Sequence, residues 1–126
     1  MKKINNNDLI NNFVKAEELD ENFFINADSY LVDIGDQIYN WFLKNEKKIC
    51  IGINGAQGTG KSTISNFFKE YLKEKYNLSV IVISLDDLYK TKSDRELLSK
   101  KIHPLLKTRG VPGTHDIDLG LSLIHI

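Results

Sequence analysis

The sequence predicts an α/β protein built on parallel strands. Three observations carry this. Lys48 to Ile53 is short, β-branched and followed by a glycine-rich turn, as a strand entering a loop should be. Residues 61–76 place Ile64, Phe67, Phe68, Tyr71, Leu72 and Tyr76 at helical spacing. Ser79 to Ser84 encloses Val80-Ile81-Val82-Ile83, a continuous apolar run suited to a parallel strand buried on both faces. Strand, helix and strand in about 35 residues make a βαβ unit, whose crossover is right-handed.

In chain order, residues 1–28 form an extension rich in Asn, Asp and Glu, with a short helix expected between Asp8 and Leu19. Over residues 29–45, Leu31, Ile34, Ile38, Trp41 and Phe42 fall on one helical stripe, with Asp28 or Ser29 as cap. Trp41 reads as a packing residue on that stripe. Cys50, in the first strand, reads as a small buried hydrophobe with no activating neighbour.

Gly55-Ala56-Gln57-Gly58-Thr59-Gly60-Lys61-Ser62 fits G-x-x-x-x-G-K-[ST], the P-loop. Small residues let successive backbone N–H groups curl around a phosphate, where bulkier ones would block the turn. The following helix directs its positive end at the same anion. Lys61 supplies a point charge for the β- and γ-phosphates. Ser62 offers a hydroxyl to Mg²⁺, and Thr63 reaches the next phosphate. A chance match in a chain this long is rarer than about one in a hundred at ordinary residue frequencies. A strand before and a helix after, each expected independently, strengthen the match.

Ser84-Leu85-Asp86-Asp87-Leu88-Tyr89 follows the second strand, where ligands of open α/β sheets sit. One of the two acids can face the site, because neighbours on an extended chain point opposite ways. Such a carboxylate can take a proton from an attacking hydroxyl or orient metal-bound water. The competing reading is helix capping by Asp86 or Asp87. Residues 90–109 hold seven basic and two acidic residues, mostly read as a solvated helix face. Within them, Ser93-Asp94-Arg95-Glu96 has the form of a capping box for a short helix to about Lys101. Arg109 is one of only two arginines, and its fork suits a carboxylate or phosphate. His103 and His115 are candidate acid–base groups, though a lone histidine is more often structural. Val111-Pro112-Gly113 is a turn, and Asp116 can open a further helix.

Composition narrows the function classes. The chain has 126 residues, with 41% hydrophobic and 27% charged, as expected of a soluble globular protein. Seventeen basic residues balance 17 acidic ones, which argues against a bulk electrostatic binder of nucleic acid or anionic membrane. There is no transmembrane run and no signal-peptide core. One cysteine excludes an internal disulfide, and a cytoplasmic setting is expected. The last six residues, 121–126, read back into codons as CTG TCT CTT ATA CAC ATC, the mosaic end of a transposase adapter. They are expected to derive from that adapter rather than from the gene.

Three motifs now stand in order. They are Ile51-Gly52-Ile53-Asn54-Gly55-Ala56-Gln57-Gly58-Thr59-Gly60-Lys61-Ser62-Thr63, then Ser84 to Tyr89, then Arg109-Gly110-Val111-Pro112-Gly113-Thr114-His115-Asp116. The set resembles the D-glycerate 3-kinase and related P-loop kinase-like family, grouped with phosphoribulokinase, uridine kinase and pantothenate kinase. The third motif is the narrowest, and the resemblance covers roughly residues 29–120. It implies a P-loop NTPase fold, three layers deep (α/β/α) on a mostly parallel sheet, and ATP-dependent transfer of the γ-phosphate to the hydroxyl of a small molecule, glycerate being the first candidate. ATP and Mg²⁺ are the implied cofactors. Lys61 and Asp86 would be catalytic, with Asp86 as general base. Asp87, Tyr89, Arg109, His115 and Asp116 would lie on the acceptor side. Leu88 departs from the aromatic residue common at its position.

Such a kinase also needs a second acid to orient the metal and an arginine-bearing lid. Neither is identifiable, so residues 29–120 are expected to be the front part of a larger domain, lacking its C-terminal strands and lid and inactive by itself. The rival from another class is a nucleotide-dependent switch, which would need switch segments that the sequence does not show. A uridine or pantothenate kinase is disfavoured by residues 109–116.

Overall fold

The computed structural model describes residues 5–45 and 48–125. The start of the N-terminal extension and Ile126 lie outside them. The chain divides into two compact units, Met1–Val82 and Ile83–Ile126.

The first unit is helical. Helix α1 (Asn6–Ala16) starts at Asn5, whose side chain accepts the Asn7 N–H at 3.1 Å. Helix α2 (Glu21–Asn26) starts at Asp20, which accepts the Phe23 N–H at 3.0 Å. A π-helical turn (Ala27–Leu31) carries α2 without a break into α3 (Val32–Lys44). The helix expected over residues 29–45 therefore begins earlier, and its cap is Asp20 rather than Asp28 or Ser29. Helix α4 (Lys61–Tyr76) ends at Asn77, a left-handed residue. The Asn77 and Leu78 N–H groups close the end on the Lys73 and Leu72 carbonyls.

The core joins these helices. Phe67 and Tyr71 of α4 are fully buried, alongside Ile10 of α1. Phe13 and Phe23 meet Phe67 with ring centroids 5.4 and 5.9 Å apart, both edge-on, the preferred aromatic geometry. The stripe read on α3 is rotated relative to the core. Val32, Gly35 and Ile38 are buried, whereas Ile34 and Trp41 are exposed. The cause is Gly35. A Cβ there would lie 2.6 Å from Cε1 of Tyr71, so only glycine lets the ring lie against α3. Trp41 instead borders an open apolar groove with Ile34, Ile38, Ile51, Ile53 and Phe68.

The two expected strands differ from expectation. Residues 48–53 and 79–84 form no ladder, and among the described residues the one β-bridge is Tyr89 with His115. A strand is stabilised by the partners that take its N–H and C=O groups, and neither segment pairs. Ile51, Ile53, Val82 and Ile83 are consequently exposed, with Ile81 at 82%. Cys50 is exposed rather than buried for the same reason.

The second unit holds α5 (Lys92–Lys101) and α6 (Ile117–His125), with 3-10 turns at Leu85–Leu88 and Pro104–Lys107. Helix α5 is capped by Thr91, not Ser93: Thr91 Oγ1 accepts the Asp94 N–H at 3.2 Å and bonds its carboxylate at 2.6 Å. His103 caps the second 3-10 turn, its Nδ1 accepting the Leu105 N–H at 3.3 Å. No described helix is long and apolar enough to cross a membrane.

Candidate functional site

The glycine-rich loop lies in the first unit, and residues 55–60 are exposed throughout. Gly58 and Gly60 both adopt φ of +79°, a conformation that side chains disfavour, so the loop can turn sharply into α4 only with glycine at these places. Three donors converge on the Ala56 carbonyl. They are the Thr59 N–H at 3.4 Å, Thr59 Oγ1 at 2.8 Å and the Lys61 ammonium at 2.7 Å. The side chain of Lys61 thus folds back over the loop instead of extending into solvent.

Helix α4 has no side-chain cap, because Gly60 stands at its start. Its first hydrogen bond runs from the Ile64 N–H to the Gly60 carbonyl at 2.9 Å. The N–H groups of Lys61, Ser62 and Thr63 precede that bond and have no helical acceptor. They form, with Lys61, a set of donors at the positive end of a helix, the arrangement that suits a phosphate. A phosphate oxygen is a stronger acceptor than a neutral carbonyl, so it can draw the Lys61 ammonium from Ala56. The Ser62 hydroxyl is exposed at the same end. Among the described residues no group of three or more His, Cys, Asp or Glu could hold a metal ion. Mg²⁺ commonly binds through substrate phosphates plus one or two protein oxygens, a set that Ser62 fits.

The second unit gathers most of the remaining candidates. The segments around Tyr89 and His115 meet as an antiparallel bridge. The Lys90 N–H donates to the Thr114 carbonyl at 2.8 Å, and the Asp116 N–H donates to the Leu88 carbonyl at 2.6 Å. This pairing stacks the Tyr89 ring on the His115 imidazole, centroids 4.1 Å apart and 28° from parallel. The Arg109 guanidinium lies 5.5 Å from the centre of the Tyr89 ring, within cation–π range. Thr114 is fully buried, and its hydroxyl donates to the Val111 carbonyl at 2.6 Å, tightening the turn that precedes His115.

The acidic candidates divide. Asp87 is a cap: its carboxylate accepts the Ser84 N–H at 3.3 Å, while Ser84 Oγ accepts the Asp86 N–H at 3.2 Å. Asp116 accepts the Leu119 N–H at 3.0 Å and so caps α6. The Asp86 side chain is exposed and has no hydrogen-bond partner among the described residues. The capping reading thus holds for Asp87 and Asp116 but not for Asp86.

Sequence reasoning missed two groups. Arg95 falls in the segment whose charge pattern suggests a solvated face, yet it is 9% exposed and bonds two backbone carbonyls. The available signal was the rarity of arginine in a lysine-rich chain. The other group is Asp36 of α3, which receives Tyr71, Lys75 and Tyr76 of α4. Partial burial raises its carboxyl pKa, but the three donors outweigh this and hold it below the ordinary range. Burial first, and then the Asp36 charge, push the Tyr71 and Tyr76 phenols well above theirs.

A glycine-rich loop leading into the uncapped start of α4, with a lysine folded over it, defines a P-loop nucleotide-binding protein. Residues 33–123 match the KAP family P-loop domain, and the chain belongs to that family. It is 39% identical over 95 residues to the "Uncharacterized kinase mug58" of Schizosaccharomyces pombe, covering 71% of this chain and 34% of that protein. It is 38% identical over 96 residues to the "Probable ATP-dependent kinase TDA10" of Saccharomyces cerevisiae, covering 71% of this chain and 33% of that protein. The chain therefore spans about a third of the length of these curated relatives. No solved structure matches it.

Proposed function

We propose that this chain carries the phosphate-binding part of an ATP-dependent small-molecule kinase. The observation that carries the proposal is the convergence of Thr59 and Lys61 on the Ala56 carbonyl at the uncapped start of α4. The two relatives named as kinases support the reaction class. ATP would lie with its phosphates against the loop amides, and Mg²⁺ would neutralise charge on them, with Ser62 as its protein ligand.

Within this reading each residue has a defined task. Lys61 holds the transferred group, and the first-turn N–H groups of α4 orient it. Asp86, whose carboxylate makes no hydrogen bond among the described residues, accepts the proton of the acceptor hydroxyl. Arg109 and His115 bind the acceptor beside Tyr89, and Asp116 adds its second carboxylate oxygen. Asp87 serves chiefly as the cap of its turn. Glycerate, a small hydroxy acid whose carboxylate suits Arg109, is the first acceptor to test. The parallel sheet of a three-layer α/β/α domain is part of the same proposal, with residues 48–53 and 79–84 as its strands.

The test is phosphoryl transfer from ATP in the intact protein with a panel of small hydroxy acids, polyols and nucleosides. Turnover that Lys61→Ala lowers by at least about 100-fold supports the kinase. Nucleotide hydrolysis without transfer to any acceptor would favour a nucleotide-dependent switch. Turnover of another alcohol but not glycerate would replace the acceptor and leave the kinase standing.

A further inference from the structure

Among the described residues of the second unit Arg95 is the buried cation, and its place in the chain is specific. Arg95 lies on the first turns of α5. Its Nε donates to the Lys90 carbonyl at 3.1 Å and its Nη1 donates to the Lys107 carbonyl at 2.7 Å. Lys90 directly follows Tyr89, and Lys107 lies two residues before Arg109. One guanidinium therefore joins the two ends of the excursion that runs from Tyr89 through α5 to Arg109. The side that leaves Tyr89 is also tied to the 109–116 segment through the Lys90–Thr114 bond.

We propose that Arg95 is the positioning residue of the acceptor side. It clamps the backbone beside Tyr89 to the backbone before Arg109, and so holds the Arg109 guanidinium over the Tyr89–His115 pair. The geometry requires a fork. Two carbonyls approached from one planar group need donors at fixed separation, which arginine supplies and the single ammonium of lysine does not. Burial of the guanidinium strengthens the requirement, because a cation sheltered from water needs acceptors for its N–H groups. Arg95 itself touches no reacting group in this scheme. It acts through Tyr89 and Arg109, and the proposal rests on the acceptor-side reading given above.

Its test compares Arg95→Lys, Arg95→Met and Arg109→Ala in the intact protein. The readouts are KM for the acceptor, KM for ATP, kcat and hydrogen exchange at the Lys90 and Asp116 amides. Arg95→Lys keeps the charge and one bond, so it remains measurable if Arg95→Met does not fold. The expected result for Arg95→Lys is a rise in acceptor KM of roughly tenfold, as for loss of one charge-assisted bond, with ATP KM unchanged. Faster exchange at both amides should accompany it. If Arg109→Ala raises acceptor KM while the Arg95 variants leave it and the exchange unchanged, the positioning role is overturned alone. If neither Arg109→Ala nor the Arg95 variants move acceptor KM, the acceptor-side reading falls and takes this role with it. Equal rises in both KM values with accelerated exchange throughout would mark a merely structural residue, and would also overturn the proposal.

Discussion

The Tyr71 hydroxyl donates a 2.6 Å hydrogen bond to the Asp36 carboxylate, tying α4 to α3 across 35 residues of sequence. Tyr76 donates to the same oxygen at 2.8 Å, and Lys75 pairs with the carboxylate at 2.9 Å. Tyr76 also stacks on Tyr39 of α3, centroids 3.8 Å apart. This cluster fixes α4, and the loop at its start is carried on the same helix. Asp36→Asn should therefore lower the stability of the first unit by about 1–2 kcal/mol, discounted for the partial exposure of the carboxylate. Urea unfolding measures it, and a midpoint unchanged from the parent would show that the cluster contributes nothing.

The same cluster sets a pH dependence. The Asp36 pKa is lowered, so its stabilisation is present above its ordinary value of 3.8 and is lost as pH falls below that. Tyr71 and Tyr76 have raised values, so their contribution is whole below the ordinary 10.0 and is lost as pH rises beyond it. A plateau between about pH 5 and 9 should fall away on both sides. In Asp36→Asn both slopes should flatten, as read from urea midpoints across pH. An unaltered profile in the variant would assign the slopes to other groups.

Gly35→Ala tests the close approach of α3 and α4. Its Cβ would lie 2.6 and 2.7 Å from two carbons of the fully buried Tyr71 ring. The ring must move, and its bond to Asp36 moves with it. The expected loss is about 1–3 kcal/mol, despite the better helix propensity of alanine. Thermal unfolding would show it, and a gain in stability would mean that the helices separate freely.

Lys61→Ala should separate function from folding. The ammonium bonds an exposed loop carbonyl, so unfolding should change by no more than about 0.5 kcal/mol. Binding of a fluorescent ATP analogue should nevertheless be lost or strongly weakened. Retained binding would remove Lys61 from the phosphate site.

Asp116 has a structural task that any chemical one must accommodate. Asp116→Ala should cost about 1 kcal/mol through the lost cap and speed exchange of the Leu119 amide. Asp116→Asn keeps an acceptor oxygen and should leave that amide protected. If the asparagine variant still loses acceptor binding, the second oxygen serves the substrate; full activity would leave only the cap.

Legibility followed the range of the interactions. The P-loop and α4 were readable because glycine spacing and the period of Ile64, Phe67, Phe68, Tyr71 and Leu72 act within a few residues. The opening of α6 at Asp116 was readable for the same reason. The cap of α5 lies two residues before the one its sequence suggests, since Thr91 and Ser93 offer the same hydroxyl chemistry and are themselves bonded at 2.8 Å. The β-branched runs at 48–53 and 79–84 signalled strands, but a strand depends on partners that periodicity does not supply.

By itself, then, the sequence determined the phosphate-binding loop and the helix that carries it, because both are written in local chemistry. The tertiary structure decided which face of α3 meets the core, where Gly35 admits Tyr71. It also decided that Asp36 gathers Tyr71, Lys75 and Tyr76, and that Arg95 is buried between Lys90 and Lys107. Each of these depends on groups that only folding brings together, and their charges and volumes acquire a role only at contact distance.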